Sequence, residues 1–146
     1  MDLSQVEILL VEDNDEDAEL TMRALKKRRL TNHLHRVSDG AEALDFLFSR
    51  GAYEGRPNVA PKFVLLDLKL PKLDGMDVLR ELRRNDATKT LPVVMLTSSK
   101  EDRDLAEAYR LGVNSYIVKP VEFDKFVEAV EQVGLYWALL NERPRI

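Results

Sequence analysis

The chain has 146 residues, no cysteine and two histidines, with 22 Lys and Arg against 26 Asp and Glu for a formal charge of -4. That length suits a single domain, 1–146, burying roughly 70% of the surface its unfolded form exposes, and the missing thiols exclude disulfides, thiolate zinc sites and cysteine nucleophiles. The mild acidity argues against nucleic acid as a direct partner; with no long apolar run and no signal-peptide pattern, a soluble, cytoplasmic protein without a membrane partner is expected.

Val6-Glu7-Ile8-Leu9-Leu10-Val11 reads as a buried strand that stops on the carboxylates Glu12 and Asp13. Asn14 or Asp15 then caps a helix with Asp15, Glu16, Asp17 and Glu19 in its first turns and Lys26, Lys27, Arg28 and Arg29 in its last, as the helix dipole favours. The mixed stretch His33 to Val37 predicts an edge strand, and Ser38-Asp39-Gly40 caps a second helix through Ala41, Ala43, Leu44, Leu47 and Phe48. Gly51 to Pro61, with two glycines and two prolines, predicts a surface loop.

Phe63-Val64-Leu65-Leu66-Asp67 is apolar throughout and ends on a charge, which suits the centre of a parallel sheet. Asp74-Gly75 opens a helix with Met76, Val78, Leu79 and Leu82 toward the sheet. Leu91-Pro92-Val93-Val94-Met95-Leu96 predicts a fourth strand ending on Thr97, and Glu101 to Leu111 a helix with Leu105, Ala108, Tyr109 and Leu111 apolar and Gly112 as its cap. Ser115-Tyr116-Ile117-Val118 predicts a fifth strand ending on Lys119-Pro120, followed by a last helix from Glu122 to about Leu140. Strands and helices alternating in this way imply an α/β fold: a doubly wound, five-stranded parallel sheet, flavodoxin-like in order 2-1-3-4-5, with helices on both faces.

Parallel strands bring Glu12, Asp13, Asp67, Thr97 and Lys119 to one edge, where such sheets bind ligands. Any one polar residue can simply end a strand; the set is complementary. Two like charges ~4 Å apart repel by about 4 kcal/mol at an effective dielectric near 20, so the three carboxylates call for a cation. Magnesium suits them, because it takes oxygen ligands and keeps waters that a phosphate oxygen can replace. Lys119 adds a fixed positive charge. Such a site suits phosphoryl transfer, with Asp67 as nucleophile and the Thr97 hydroxyl donating to a phosphoryl oxygen.

These residues resemble the receiver domains of bacterial response regulators, of which the chemotaxis protein CheY is a simple example, from about Val6 to Val133. Glu12-Asp13 is similar to the family's acidic pair, Asp67 to Gly75 to its phosphoacceptor loop, and Thr97-Ser98, Tyr116 and Lys119-Pro120 to its switch hydroxyl, switch aromatic and lysine before proline. The resemblance implies that the Lys69 backbone carbonyl joins Asp13 and Asp67 on Mg2+, that Glu12 acts through water, and that the Lys119-Pro120 bond is cis. The Gly51 to Pro61 loop, the segments Asp45 to Gly51 and Leu111 to Pro120, and the end Leu135 to Pro144 resemble single-domain regulators paired with bacterial phytochrome histidine kinases. That implies a light-sensing kinase as partner.

His33 and His35 alternate onto one strand face, but with no third ligand nearby a surface edge strand is the simpler expectation over a metal pair. In the last helix Phe123, Phe126, Val127, Val130, Val133 and Trp137 form one stripe, while Leu135, Tyr136 and Leu139 lie off it. An end apolar all round, at about 134–146, predicts a partner surface and a homodimer through Leu135, Tyr136, Trp137 and Leu139. The expected function is therefore a stand-alone response regulator that accepts a phosphoryl group on Asp67. The rivals are a phosphorelay intermediate serving a histidine phosphotransfer protein and a magnesium phosphohydrolase. Haloacid-dehalogenase-like enzymes place a second acid two residues after the nucleophile, where Lys69 stands here.

Overall fold

In the computed structural model, residues 6–26, 33–57, 59–98 and 102–132 are described. The unbroken apolar runs form the three central strands, β1 (Ile8–Val11), β3 (Phe63–Asp67) and β4 (Val93–Thr97), with every residue buried. The mixed sequences form β2 (Leu34–Val37) and β5 (Ser115–Val118), which expose part of themselves. The difference follows from position, since the order is β2-β1-β3-β4-β5 and only the inner strands are covered on both faces. All four pairings are parallel, with Ile8 beside both Leu34 and Phe63, Asp67 beside Leu96, and Thr97 beside Val118.

The helices are α1 (Asp15–Lys26), α2 (Gly40–Leu47), α3 (Gly75–Arg84), α4 (Asp102–Arg110) and α5 (Phe123–Gln132). Three start on acidic or amide caps: Asn14, Asp39 and Asp74 accept the backbone N–H of Asp17, Glu42 and Asp77 at 2.9, 2.7 and 3.0 Å. Such a cap is worth about 1 kcal/mol. Strand alternation divides the core. Ile8, Leu10, Phe63, Leu65 and Leu96 pack with α1 and α5, including Phe126, whose ring centroid lies 6.0 Å from that of Phe63. Leu9, Val11, Val64, Leu66 and Met95 pack on the other face with α2, α3 and Ala108 of α4. Gly112 ends α4 with φ +85°, and Val113 N–H reaches back to the Ala108 carbonyl at 3.0 Å. The architecture is the one expected, flavodoxin-like with helices on both faces.

Local expectations change at several places. The loop after α2 is not wholly irregular: Gly51–Tyr53 forms a 3₁₀ turn, and Arg56 is buried. Its guanidinium donates to the Phe46 carbonyl at 2.7 and 3.0 Å and to the Val59 carbonyl at 3.1 Å, and lies 4.0 Å above the Phe46 ring. His35 is half-buried rather than a surface residue, stacked on Phe46 at 4.9 Å and hydrogen-bonded to the Tyr53 hydroxyl at 2.9 Å. Neither histidine belongs to a candidate metal group among the described residues. Tyr109, expected on the apolar side of α4, is exposed. The last helix is described to Gln132; its expected continuation to Leu140, the extension at 134–146 and the dimer candidates Leu135, Tyr136, Trp137 and Leu139 lie outside the described residues. Among the described residues no helix is long and apolar enough to cross a membrane.

Candidate functional site

Because all five strands run the same way, residues far apart in sequence meet at the carboxyl edge of the sheet. The Asp67 carboxylate, on a residue 4% exposed at the end of β3, meets the Lys119 ammonium at 2.9 Å through Oδ2 and accepts the Lys69 N–H at 3.2 Å through Oδ1. Lys119 follows β5, its own N–H bonded to the Thr97 carbonyl at 2.8 Å, and the Lys119-Pro120 peptide bond is cis. Glu12, directly after β1, is completely buried and brings Oε1 to 2.7 Å from Lys119 Nζ. The angles at that contact miss hydrogen-bond alignment, so this oxygen has an ion-pair partner but no hydrogen bond. Glu12 Oε2 accepts the Asn14 N–H at 3.2 Å.

The turn between Asp67 and α3 is fixed from two sides. Gly75 donates its N–H to the Leu68 carbonyl at 2.9 Å, and a Cβ at Gly75 would overlap the Asp67 carbonyl. A Cβ at Gly40, the first residue of α2, would overlap the Leu73 carbonyl. The turn therefore rests against the start of α2, where Lys72 also pairs with Asp39 at 3.5 Å.

Burial sets the electrostatics. It raises the Glu12 carboxyl, with help from the hydrogen bond and charge of Asp67 and against the pull of Lys119, to about 7. Burial alone would lower the Lys119 ammonium, but the close carboxylates of Glu12 and Asp67 hold it above its ordinary range. One oxygen each from Glu12, Asp13 and Asp67 lies within 4.8 Å of the others. Three hard carboxylate donors, two of them on buried residues, fit a divalent cation of the magnesium or manganese type.

Thr97 is buried at the end of β4, beside Val118 in the register. Tyr116, opposite Met95, is 38% exposed and packs edge-on to Tyr109 at 6.0 Å, at the mouth of a cleft of about 410 Å³ that also involves Lys125 and Glu128. Glu12, Asp13, Asp67, Thr97 and Lys119 are thus gathered at one edge, with Tyr116 on the adjoining strand. One acid escaped the sequence reading: Asp17 Oδ2 lies 3.1 Å from Lys119 Nζ.

The pattern of the response regulator receiver domain matches residues 8–131. The chain belongs to the response regulator receiver family. Receiver domains are parts of two-component signalling systems, and this one is similar to relatives from varied pathways. It is 43% identical over 137 residues to the "Probable methanogenesis regulatory protein FilR2" of Methanothrix harundinacea, covering 94% of this chain and 86% of that protein. The structure of the bacteriophytochrome response regulator AtBRR is 54% identical, with a TM-score of 0.83 over 92% of this chain and 96% of that one. Rcp1 of Synechocystis, in its Mn(2+)-bound form, is 38% identical, with a TM-score of 0.73 over 92% of this receiver and 94% of Rcp1.

Proposed function

We propose that this receiver acts as a stand-alone phosphoacceptor, taking a phosphoryl group on Asp67 from the phosphohistidine of a sensor histidine kinase. The observation that carries this reading is the buried Asp67 carboxylate, held at 2.9 Å by Lys119 beside two further carboxylates that suit a cation. An Asp67 oxygen attacks phosphorus as the P–N bond breaks; the electron pair returns to that nitrogen, and because the donor's other ring nitrogen carries a proton the imidazole leaves as the neutral ring. Magnesium, when bound by Asp13, Asp67 and the Lys69 carbonyl with Glu12 acting through water, supplies charge neutralisation at the phosphoryl oxygens. Lys119 balances a further oxygen, and the Thr97 hydroxyl donates to one. The movement of Thr97 then draws the exposed Tyr116 inward and shifts the population of the adjoining face. The chain's own chemistry ends at acceptance and slow self-hydrolysis, with no turnover of a small-molecule substrate.

Asp67→Asn is expected to abolish labelling by acetyl phosphate with magnesium; full labelling of that variant would refute the assignment. The likeness to AtBRR favours a phytochrome-type kinase as donor. Phosphotransfer from such a kinase that changes between red and far-red light supports this pairing, and none from either state sinks it. The homodimer through Leu135, Tyr136, Trp137 and Leu139 rests on the sequence pattern. Light scattering with and without beryllofluoride tests it, and a monomer mass in both would exclude it.

A further inference from the structure

Lys119 is shared among three acids, and they are not equivalent. Glu12 and Asp67 approach from the buried side, with side chains 0% and 6% exposed, whereas the Asp17 side chain is 40% exposed and meets Nζ from solvent at 3.1 Å. Asp17 does not join the cluster of Glu12, Asp13 and Asp67 that fits a metal. Among the described residues its carboxylate pairs with the lysine alone. Its backbone is pinned in the first turn of α1, where its N–H donates to the Asn14 side chain at 2.9 Å and its carbonyl accepts the Thr21 hydroxyl at 2.9 Å. The carboxylate thus reaches Lys119 from its more exposed side, and both line a small cleft with Leu20, Thr21, Pro120 and Val121.

We propose that Asp17 is a positioning residue that holds Lys119 toward solvent and sets a negative charge at the entrance to Asp67, slowing the entry of phosphoryl donors. The inference rests on Asp67 being the phosphoacceptor. A donor arrives as an anion, so a fixed carboxylate beside the cation that should receive it both repels the donor and occupies part of that cation. Asp17→Asn keeps an oxygen within reach of Lys119 and removes only the charge.

The test uses acetyl phosphate with magnesium, in which the P–O bond to the acetyl group breaks, acetate leaves with the electron pair, and a new P–O bond forms to Asp67. At limiting donor, Asp17→Asn is expected to label about 5-fold faster than wild type, with the advantage shrinking as added salt screens the charge. Asp17→Glu should return the rate to that of wild type. Glu16→Gln, an exposed acid one position earlier, removes the same net charge away from the lysine and should stay within about 1.5-fold of wild type, the scale of a screened exposed charge. Labelling of Asp17→Asn no faster than wild type overturns the proposal, as does equal acceleration by Glu16→Gln. If wild type itself fails to label, the acceptor reading falls, and calorimetric titration with inorganic phosphate decides this proposal alone: tighter binding by Asp17→Asn upholds it and equal affinity overturns it.

Discussion

Two cations, the half-buried Lys119 and the buried Arg56, are held in opposite ways. Lys119 faces three carboxylates within 3.1 Å, so its charge is matched by groups that carry charge themselves and can exchange partners. Among the described residues Arg56 has no carboxylate within salt-bridge distance; it lies on an aromatic ring and donates to two backbone carbonyls that have fixed positions. The lysine is a flexible point charge and the guanidinium a planar fork, and each suits its place. A buried charge surrounded by charges marks a site where a ligand can enter, whereas one satisfied by neutral dipoles marks a staple.

The contrast can be broken by exchanging effects between the two residues. Lys119→Met should slow labelling of Asp67 by about 100-fold, the scale of losing one charge-stabilising donor, with stability in urea changed far less. Arg56→Met should do the reverse. It removes both guanidinium donors from the buried Phe46 carbonyl, which keeps only the longer Ser49 N–H bond at 3.3 Å, and takes the cation off the ring, costing about 2 kcal/mol in urea unfolding with the labelling rate unchanged. If Arg56→Met slows labelling as much as Lys119→Met does, the division between site and staple fails.

Magnesium sharpens the same comparison. At about ten times its dissociation constant it should stabilise wild type by about 1.4 kcal/mol, because it binds the folded state. Asp13→Asn should reduce that gain and Arg56→Met should leave it intact, as read from thermal unfolding with and without the ion. The smallest expected effects concern pH, and the two regions have opposite signs. In metal-free protein the raised Glu12 carboxyl makes the folded state take up protons first, so this contribution to stability is lost as pH rises from 4.5 toward 7. Burial lowers His35 below its ordinary 6.5, so its contribution is present above 6.5 and lost as pH falls below it. Glu12→Gln should therefore remove a decline in urea midpoint on raising pH, and His35→Phe a decline on lowering it. The same pH slope in both variants would contradict the assignment.

The strand ends were readable because they need only two facts: apolar runs that stop on a functional group, and a parallel sheet that aligns the stops. Asp67, Thr97 and Lys119 follow from these. Asp17 does not, because Asp15, Glu16 and Asp17 together fit the ordinary acidic start of a helix, and only the three-dimensional path of Lys119 singles one of them out. Arg56 was hidden for a related reason: a loop has no period, so no pattern predicts which residue turns inward. Phe46, fully buried beneath it, went unremarked because it follows Asp45 on a short helix whose inward positions do not keep one strict spacing. Burial of His35 likewise depends on Tyr53, brought beside it by the 3₁₀ turn.

The long-range nature of the Lys119 contacts has a consequence for biosynthesis. This lysine lies 52 positions after Asp67 and 102 after Asp17, and its backbone is placed by the pairing of β5 with β4. A nascent chain that has emerged only as far as β4 already presents the Asp67 carboxylate but lacks its cation, and it leaves Glu12 and Asp67 facing each other without that counter-charge. Competence to receive a phosphoryl group should therefore appear late and abruptly, when the fifth strand docks, so that ribosome-bound fragments ending before Ser115 stay silent to a donor that labels the released protein.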